Sequence, residues 1–262
     1  MMQYYEGLTF SEFKEGINKL FQDLVNNIVK LKVISKEDLE AEIVRSFKVI
    51  NNKSAKYIGQ FTYSPSNGQR SLKVNFYQLH EIYKETFLKR GVLFEDFCKI
   101  ILLHELGHAI DFNSSKIQEK PLNSFTNELA LKFKNINEGQ HDIIYEANKA
   151  VFQINQYVKE NIYAKEKKAN EIAGTLIRKI EKNNHSLKRA FKIFLAHHKH
   201  YLEFEDIPII RAVIAKRSVS SPVQHIMKEH LWKRTNEKYR KILNRSYKEV
   251  RYKKASFTLS RF

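Results

Sequence analysis

A helix that is apolar on every side has to be buried, and the stretch from Ile100 to Ile110 reads as such a helix. Ile100-Ile101-Leu102-Leu103 lead in, Ala109-Ile110 follow, and no Gly or Pro precedes Gly107. Inside it stand His104, Glu105 and His108, as His-Glu-Leu-Gly-His. Polar groups carried into a core need partners there. Residues four apart share one face of a helix, with Cβ atoms roughly 6 Å apart, so His104 and His108 can reach one tetrahedral ion together. Glu105 is rotated toward the position such an ion leaves open. The pattern is the H-E-x-x-H of zinc hydrolases: zinc lowers the pKa of a bound water to roughly 7, and a neighbouring carboxylate can take its proton. With ten histidines in 262 residues, the five letters alone arise by chance in roughly a few per hundred such chains. The competing reading is a pair of core histidines bonded to backbone carbonyls.

A catalytic zinc takes three protein ligands, so a third must come from elsewhere. The extended metzincin pattern would need Gly at 111 and His at 114, where this chain has Asp111 and Ser114. A long helical pattern runs from about His141 to Ile180. Its stripe is Ile143, Ala147, Val151, Ile154, Val158 and Ile162, resuming at Ala169, Ala173, Leu176 and Ile180. Glu166 falls on this apolar face, where a carboxylate must be paired, protonated or bound to a metal. Glu171 lies on the opposite side and Glu146 on the flank. Ala169 and Ala173 are small enough to let this helix approach the one carrying His104. A salt bridge to a buried Lys or Arg is the alternative for Glu166.

Glu166-Lys167-Lys168-Ala169-Asn170, followed by Ala173 and Leu176, resembles the E-x-x-A-N second motif of ImmA/IrrE-type metallopeptidases, whose first motif is H-E-x-x-H. That resemblance implies His104, His108 and Glu166 as zinc ligands and Glu105 as general base. It also suggests a regulatory protease acting on a DNA-bound or similar protein. It covers two short motifs, and the 58 positions between His108 and Glu166 (166 minus 108) imply an inserted helical segment around 115 to 160. His104 to Asp111 also resembles the first motif of lethal-factor-like zincins, which carry a tyrosine at a fixed distance before the glutamate. Tyr157 and Tyr163 do not stand at that spacing.

The chain carries a net charge of +17 and 42% hydrophobic residues, which suits a globular fold with a substantial core and an attraction to polyanions. From Lys228 to Phe262 there are twelve Lys or Arg against Glu229, Glu237 and Glu249, interleaved with Trp232, Tyr239, Tyr247, Tyr252 and Phe257. Cations among aromatics suit nucleic acid, although Leu231, Tyr239, Leu243 and Val250 also fit the buried stripe of an ordinary helix. No apolar run approaches the ~18 residues of a membrane span, and the N-terminus lacks the pattern of a secretion signal. A cytoplasmic location and no membrane partner are the expectations. The one cysteine, Cys98, has no internal disulfide partner and is expected to pack beside the motif helix.

Ahead of the motif, Thr9 and Glu12 form a capping box for a helix with Phe13, Ile17, Leu20, Leu24, Ile28 and Leu31 on its apolar face. A short helix is expected after Ser35. Tyr57, Phe61 and Tyr63 then alternate, Ser64 to Gly68 turn, and Leu72, Val74 and Phe76 alternate again, predicting a β-hairpin. An exposed edge strand there would let an extended peptide form a ladder, which nominates Ser71 to Gln78, with Lys73, Val74, Asn75 and Phe76 at its centre, as the substrate-binding segment. Beyond the motif, helices are expected over 123–133, 141–180, 185–202, 208–216 and 222–250. His197, His198 and His200 read as a solvated helix end.

The expected fold is α+β, with three regions: a helical segment over 1–50, a mostly helical zincin-like core over 51–182 with a small β-hairpin before the motif helix, and a basic helical extension over 183–262. The expected function is Zn²⁺-dependent hydrolysis of peptide bonds in an intracellular protein or peptide substrate. His104, His108 and Glu166 would bind the metal and Glu105 would act on water. Asp111 would hydrogen-bond one of the histidines, and Tyr163 would be a catalytic donor. The alternative is a nucleic-acid-associated binding or structural protein on the same scaffold, without proteolysis, in which the basic C-terminal region makes the contact.

Overall fold

The structure, a computed structural model, describes residues 7–32, 46–55, 57–63, 70–114, 122–134, 142–216 and 219–259, with side chains through 241 except those of 113 and 114. It is mostly helical with one small sheet, an α+β arrangement. The expected helix after Ser35 and the turn at Ser64 to Gly68 lie outside the described residues. Among those described, no helix is long and apolar enough to cross a membrane.

The chain divides into two compact units that interleave along the sequence. One combines Met1–Ile117 with Ala164–Lys199, and the other Gln118–Tyr163 with His200–Phe262. The three consecutive regions expected above are therefore not the units observed. The cause is visible in the stripe from Ile143 to Ile180. It forms two α-helices joined by a π-helical stretch, Val158–Tyr163, and its two halves bury their apolar residues in different cores.

In the first unit, helix α1 (Phe10–Lys30) starts at the expected box: Glu12 N–H donates to Thr9 Oγ1 at 3.3 Å and Thr9 N–H to Glu12 Oε2 at 2.8 Å. Its spacing buries Phe13, Ile17, Phe21, Leu24, Val25 and Ile28 against the motif helix, so this segment belongs to the same core as the motif. Residues expected to be helical at the end of the 1–50 region instead form strand β1 (Phe47–Ile50). Strands β2 (Gly59–Tyr63) and β3 (Arg70–Asn75) are the predicted antiparallel pair, with Phe61 opposite Leu72. β1 pairs in parallel with the far side of β3, giving the order β1-β3-β2.

That order overturns the substrate rail. β3 is central and paired on both sides, so Lys73, Val74 and Asn75 have no free backbone edge to offer a peptide. Val74 and Asn75 are buried. Asn75 ties down the loop before β2: Oδ1 accepts from Asn52 N–H at 3.1 Å and Nδ2 donates to Asn52 C=O at 2.8 Å. Phe76 opens helix α2 (Phe76–Ile82) and packs on Phe13, ring centroids 4.7 Å apart. The edge strand beside the motif helix is β2.

After a π-helical turn at Tyr83–Phe87 and a short helical turn at Leu88–Arg90, α3 (Phe94–Ser114) carries the motif. Ile100 to Leu103, Leu106 and Ala109 are buried, as a helix apolar all round requires, and Cys98 is buried among them, where burial pushes its thiol well up. The last turn holds β2 alongside: Phe112 packs on Tyr63 at 4.6 Å and Phe61 at 5.8 Å, and Arg70 lies over the Phe112 ring at 4.9 Å.

In the second unit, α4 (Leu122–Lys132), α5 (Ile143–Tyr157), α8 (Asp206–Ile214) and α9 (Ser221–Leu259) share a core that includes Leu129, Ala150, Ile154, Ile210, Val213 and Met227. The remaining helices are α6 (Ala164–Ile180) and α7 (His185–Leu202). Tyr239, placed on a buried stripe by its spacing, is 62% exposed; Leu243 and Val250 lie beyond the described side chains.

Candidate metal centre

Three helices of the first unit each supply two side chains four residues apart: His104 and His108 from α3, Glu166 and Asn170 from α6, Phe194 and His198 from α7. The i, i+4 spacing puts both members of each pair on one face. The approach of α3 to α6 is set by small residues. Ala169 and Ala173 are buried, and Gly107 lies against the Ala169 backbone.

His104 Nε2, His108 Nε2 and Glu166 Oε2 converge. The two imidazole nitrogens are 3.2 Å apart, and Glu166 Oε2 is 3.0 Å from the first and 3.4 Å from the second. A small ion with tetrahedral bonds of roughly 2.0–2.1 Å sets its ligand atoms about 3.3 Å apart, so these separations match the edges of such a site. Glu166 Oε2 adds a second sign. It is buried, and although imidazole nitrogens crowd it, none is aligned as a hydrogen-bond donor to it. A buried carboxylate oxygen without a directed donor fits a ligand better than an ordinary ion pair. Burial pushes the Glu166 carboxyl upward, and the three imidazoles within 3.4 Å draw it well below the usual carboxylate range when they carry protons toward it. Together the three side chains could hold a metal ion.

Glu105 occupies the adjacent position. Its carboxylate faces β2, beside the backbone of Gly59 and Phe61. It sits so close to Gly59 that a Cβ there would come within 2.6 Å of Oε1. Burial raises its pKa to about 7; His104 and the Phe61 N–H pull it down and Glu166 pushes it up.

The partner of His104 Nδ1 is Asn170, whose Oδ1 lies 3.0 Å away; the role expected of Asp111 falls to this residue for that ring. Glu171 is exposed and lies 4.0 Å from Lys167, and Glu146 belongs to the second unit. Tyr163 also belongs to the second unit, is 39% exposed, and is not among the side chains brought together here.

The histidine cluster on α7 is not a solvated helix end. His198 turns into the site, with its side chain 13% exposed and Nε2 3.2 Å from Glu166 Oε2. His197 packs edge-on against Phe87 at 5.7 Å, and His200, in the second unit, meets Phe204 at 5.7 Å and Glu203 at 3.5 Å. The signal for His198 was present in the sequence. Leu187, Ala190 and Phe194 are the buried stripe of α7, and the next position on it is 198. Comparison with protein-family models, with curated proteins and with solved structures found no match.

Proposed function

We propose that this protein is a zinc-dependent metallopeptidase of zincin type, with His104, His108 and Glu166 as ligands. One observation carries the reading: two histidines of an H-E-x-x-H helix meet a glutamate from another helix at ligand-to-ligand distances, with the motif's own glutamate beside them. Zinc held there would polarise a substrate carbonyl and acidify a water. Glu105 would act as the base, taking a proton from a water beside it as the water oxygen adds to the carbonyl carbon. The same proton passes to the departing nitrogen as the C–N bond breaks, so the products are a carboxylic acid and an amine. β2, the edge strand next to Glu105, is the backbone along which an extended peptide would lie.

The test combines metal analysis with cleavage of a quenched-fluorescent peptide library. Wild type should bind about one zinc per chain and cleave; His104→Ala and Glu166→Ala should lose both, while Glu105→Gln keeps the metal and loses cleavage. A wild type that takes up no zinc rejects the reading.

A second reading, contact with nucleic acid through α9, is favoured by the exposure of Trp232 at 68% and Tyr239 at 62% among its cations. It requires binding to a single-stranded oligonucleotide that weakens steeply with salt and falls in Trp232→Ala and Tyr239→Ala; salt-insensitive or absent binding removes it.

A further inference from the structure

Asn170 spans two imidazoles. Its Oδ1 is 3.0 Å from His104 Nδ1 and its Nδ2 is 3.1 Å from His198 Nδ1. An amide accepts at one end and donates at the other, and a neutral imidazole likewise has one nitrogen of each kind. With Oδ1 toward His104, the proton of that ring sits on Nδ1 and the lone pair stays on Nε2, where a metal needs it. With Nδ2 toward His198, Nδ1 of that ring must accept, which leaves its proton on Nε2. Turning the amide over would reverse both assignments. It would protonate His104 Nε2, the atom that meets Glu166 and His108, so a metal-binding His104 selects the orientation observed.

We propose that Asn170 holds the two rings in opposite tautomers, making His104 a metal ligand and His198 a hydrogen-bond donor to the substrate carbonyl oxygen instead of a fourth ligand. This rests on the metallopeptidase reading. Three features agree with it. His198 stands outside the group whose ligand atoms lie within 4.8 Å of one another. Its ring is fixed by Phe194 at 5.2 Å and by His104 at 5.0 Å, nearly perpendicular at 87°. Its Nε2 is close to Glu166 Oε2 without being aligned on it, so the N–H remains available to another acceptor. As water adds, the carbonyl oxygen gains negative charge, and a fixed donor stabilises that charge. The proton stays on the imidazole, so no bond is made or broken at His198.

The first test reads the tautomers by long-range ¹H–¹⁵N correlation on histidine-labelled protein, with and without zinc. His104 should carry its proton on Nδ1 and His198 on Nε2. In Asn170→Asp, which can only accept, the proton of His198 should move to Nδ1. Finding His198 protonated on Nδ1 in the zinc-loaded wild type overturns the proposal, whereas a wild type that takes up no zinc overturns the peptidase reading instead. The second test is kinetic. His198→Ala should retain zinc and the cobalt(II) visible spectrum of the wild type while kcat falls ~10²- to 10³-fold at similar KM, with partial rescue in His198→Gln, which can still donate. Loss of zinc or a changed cobalt spectrum in His198→Ala would make this residue a ligand and sink the proposal, leaving the peptidase reading intact.

Discussion

Gly107 lies directly on the backbone of Ala169: a Cβ at position 107 would come within 2.6 Å of the Ala169 carbonyl oxygen and 3.1 Å of its Cα. The fourth residue of the H-E-L-G-H stretch is thus the contact that sets the distance between the helix with both histidines and the helix with Glu166. Gly107→Ala should gain ~1 kcal/mol of helix propensity and lose more, because the obstacle is backbone and cannot rotate away. The expected net loss is about 2 kcal/mol in urea unfolding, with a clear drop in bound zinc as the ligands separate. Unchanged stability and zinc content would show that the helices do not need this approach.

Gly59 and Glu105 stand in a similar relation across the sheet edge. A Cβ at 59 would meet Glu105 Oε1 at 2.6 Å and Cγ at 2.7 Å. Here the obstacle is a side chain, so Gly59→Ala should fold and hold zinc while Glu105 is pushed out of place. Cleavage should fall ~10²-fold or more with metal content unchanged, the range that removal of a general base covers. A variant that cleaves normally would dissociate β2 from the positioning of Glu105.

What was legible in the sequence followed one kind of regularity, the helical stripe. His104 and His108 were readable from their spacing, and Glu166 from a charge standing on an apolar face. The same test applied to Leu187, Ala190 and Phe194 reaches His198, whose neighbours His197 and His200 suggested a polar surface instead. Sheet order was not legible. β2 and β3 are joined locally, but the pairing of Phe47–Ile50 with the other side of β3 is a parallel, non-local contact that no short pattern marks, and it turned the expected edge strand into the central one. Nor did the stripe from Ile143 to Ile180 reveal that its two halves serve two cores, because each half keeps the same period.

The two separate cores make metal removal a local test. The three side chains that could hold a metal all belong to the first unit. Binding to the folded state alone stabilises by about 4 kcal/mol when free metal is 1,000 times its Kd. Chelation with a phenanthroline should therefore lower the thermal midpoint and speed amide exchange in α3 and α6, with little change in α5 and α8. Uniform loss of protection through both units would mean that the metal supports the whole chain.

Arg234 carries the corresponding weight in the second unit, without any metal. Its Nε donates to Asp206 Oδ2 at 2.8 Å, its Nη2 to Asp206 Oδ1 at 3.1 Å and to the Glu203 carbonyl at 2.8 Å, and its Nη1 to Glu237 Oε2 at 2.6 Å. The guanidinium lies over the Phe204 ring at 5.0 Å, and Lys241 pairs with both Glu203 and Glu237 nearby. The Asp206 side chain is only 5% exposed, so removing its partner leaves a buried carboxylate uncompensated. Arg234→Met should cost about 2–4 kcal/mol, discounted because the arginine itself is partly solvated. In the double variant Arg234→Met with Asp206→Asn no charge is left unpaired, so part of that loss should return. Urea unfolding of wild type, both single variants and the double variant closes the cycle. Strict additivity of the two single losses would show that the pair does not hold α9 to the start of α8.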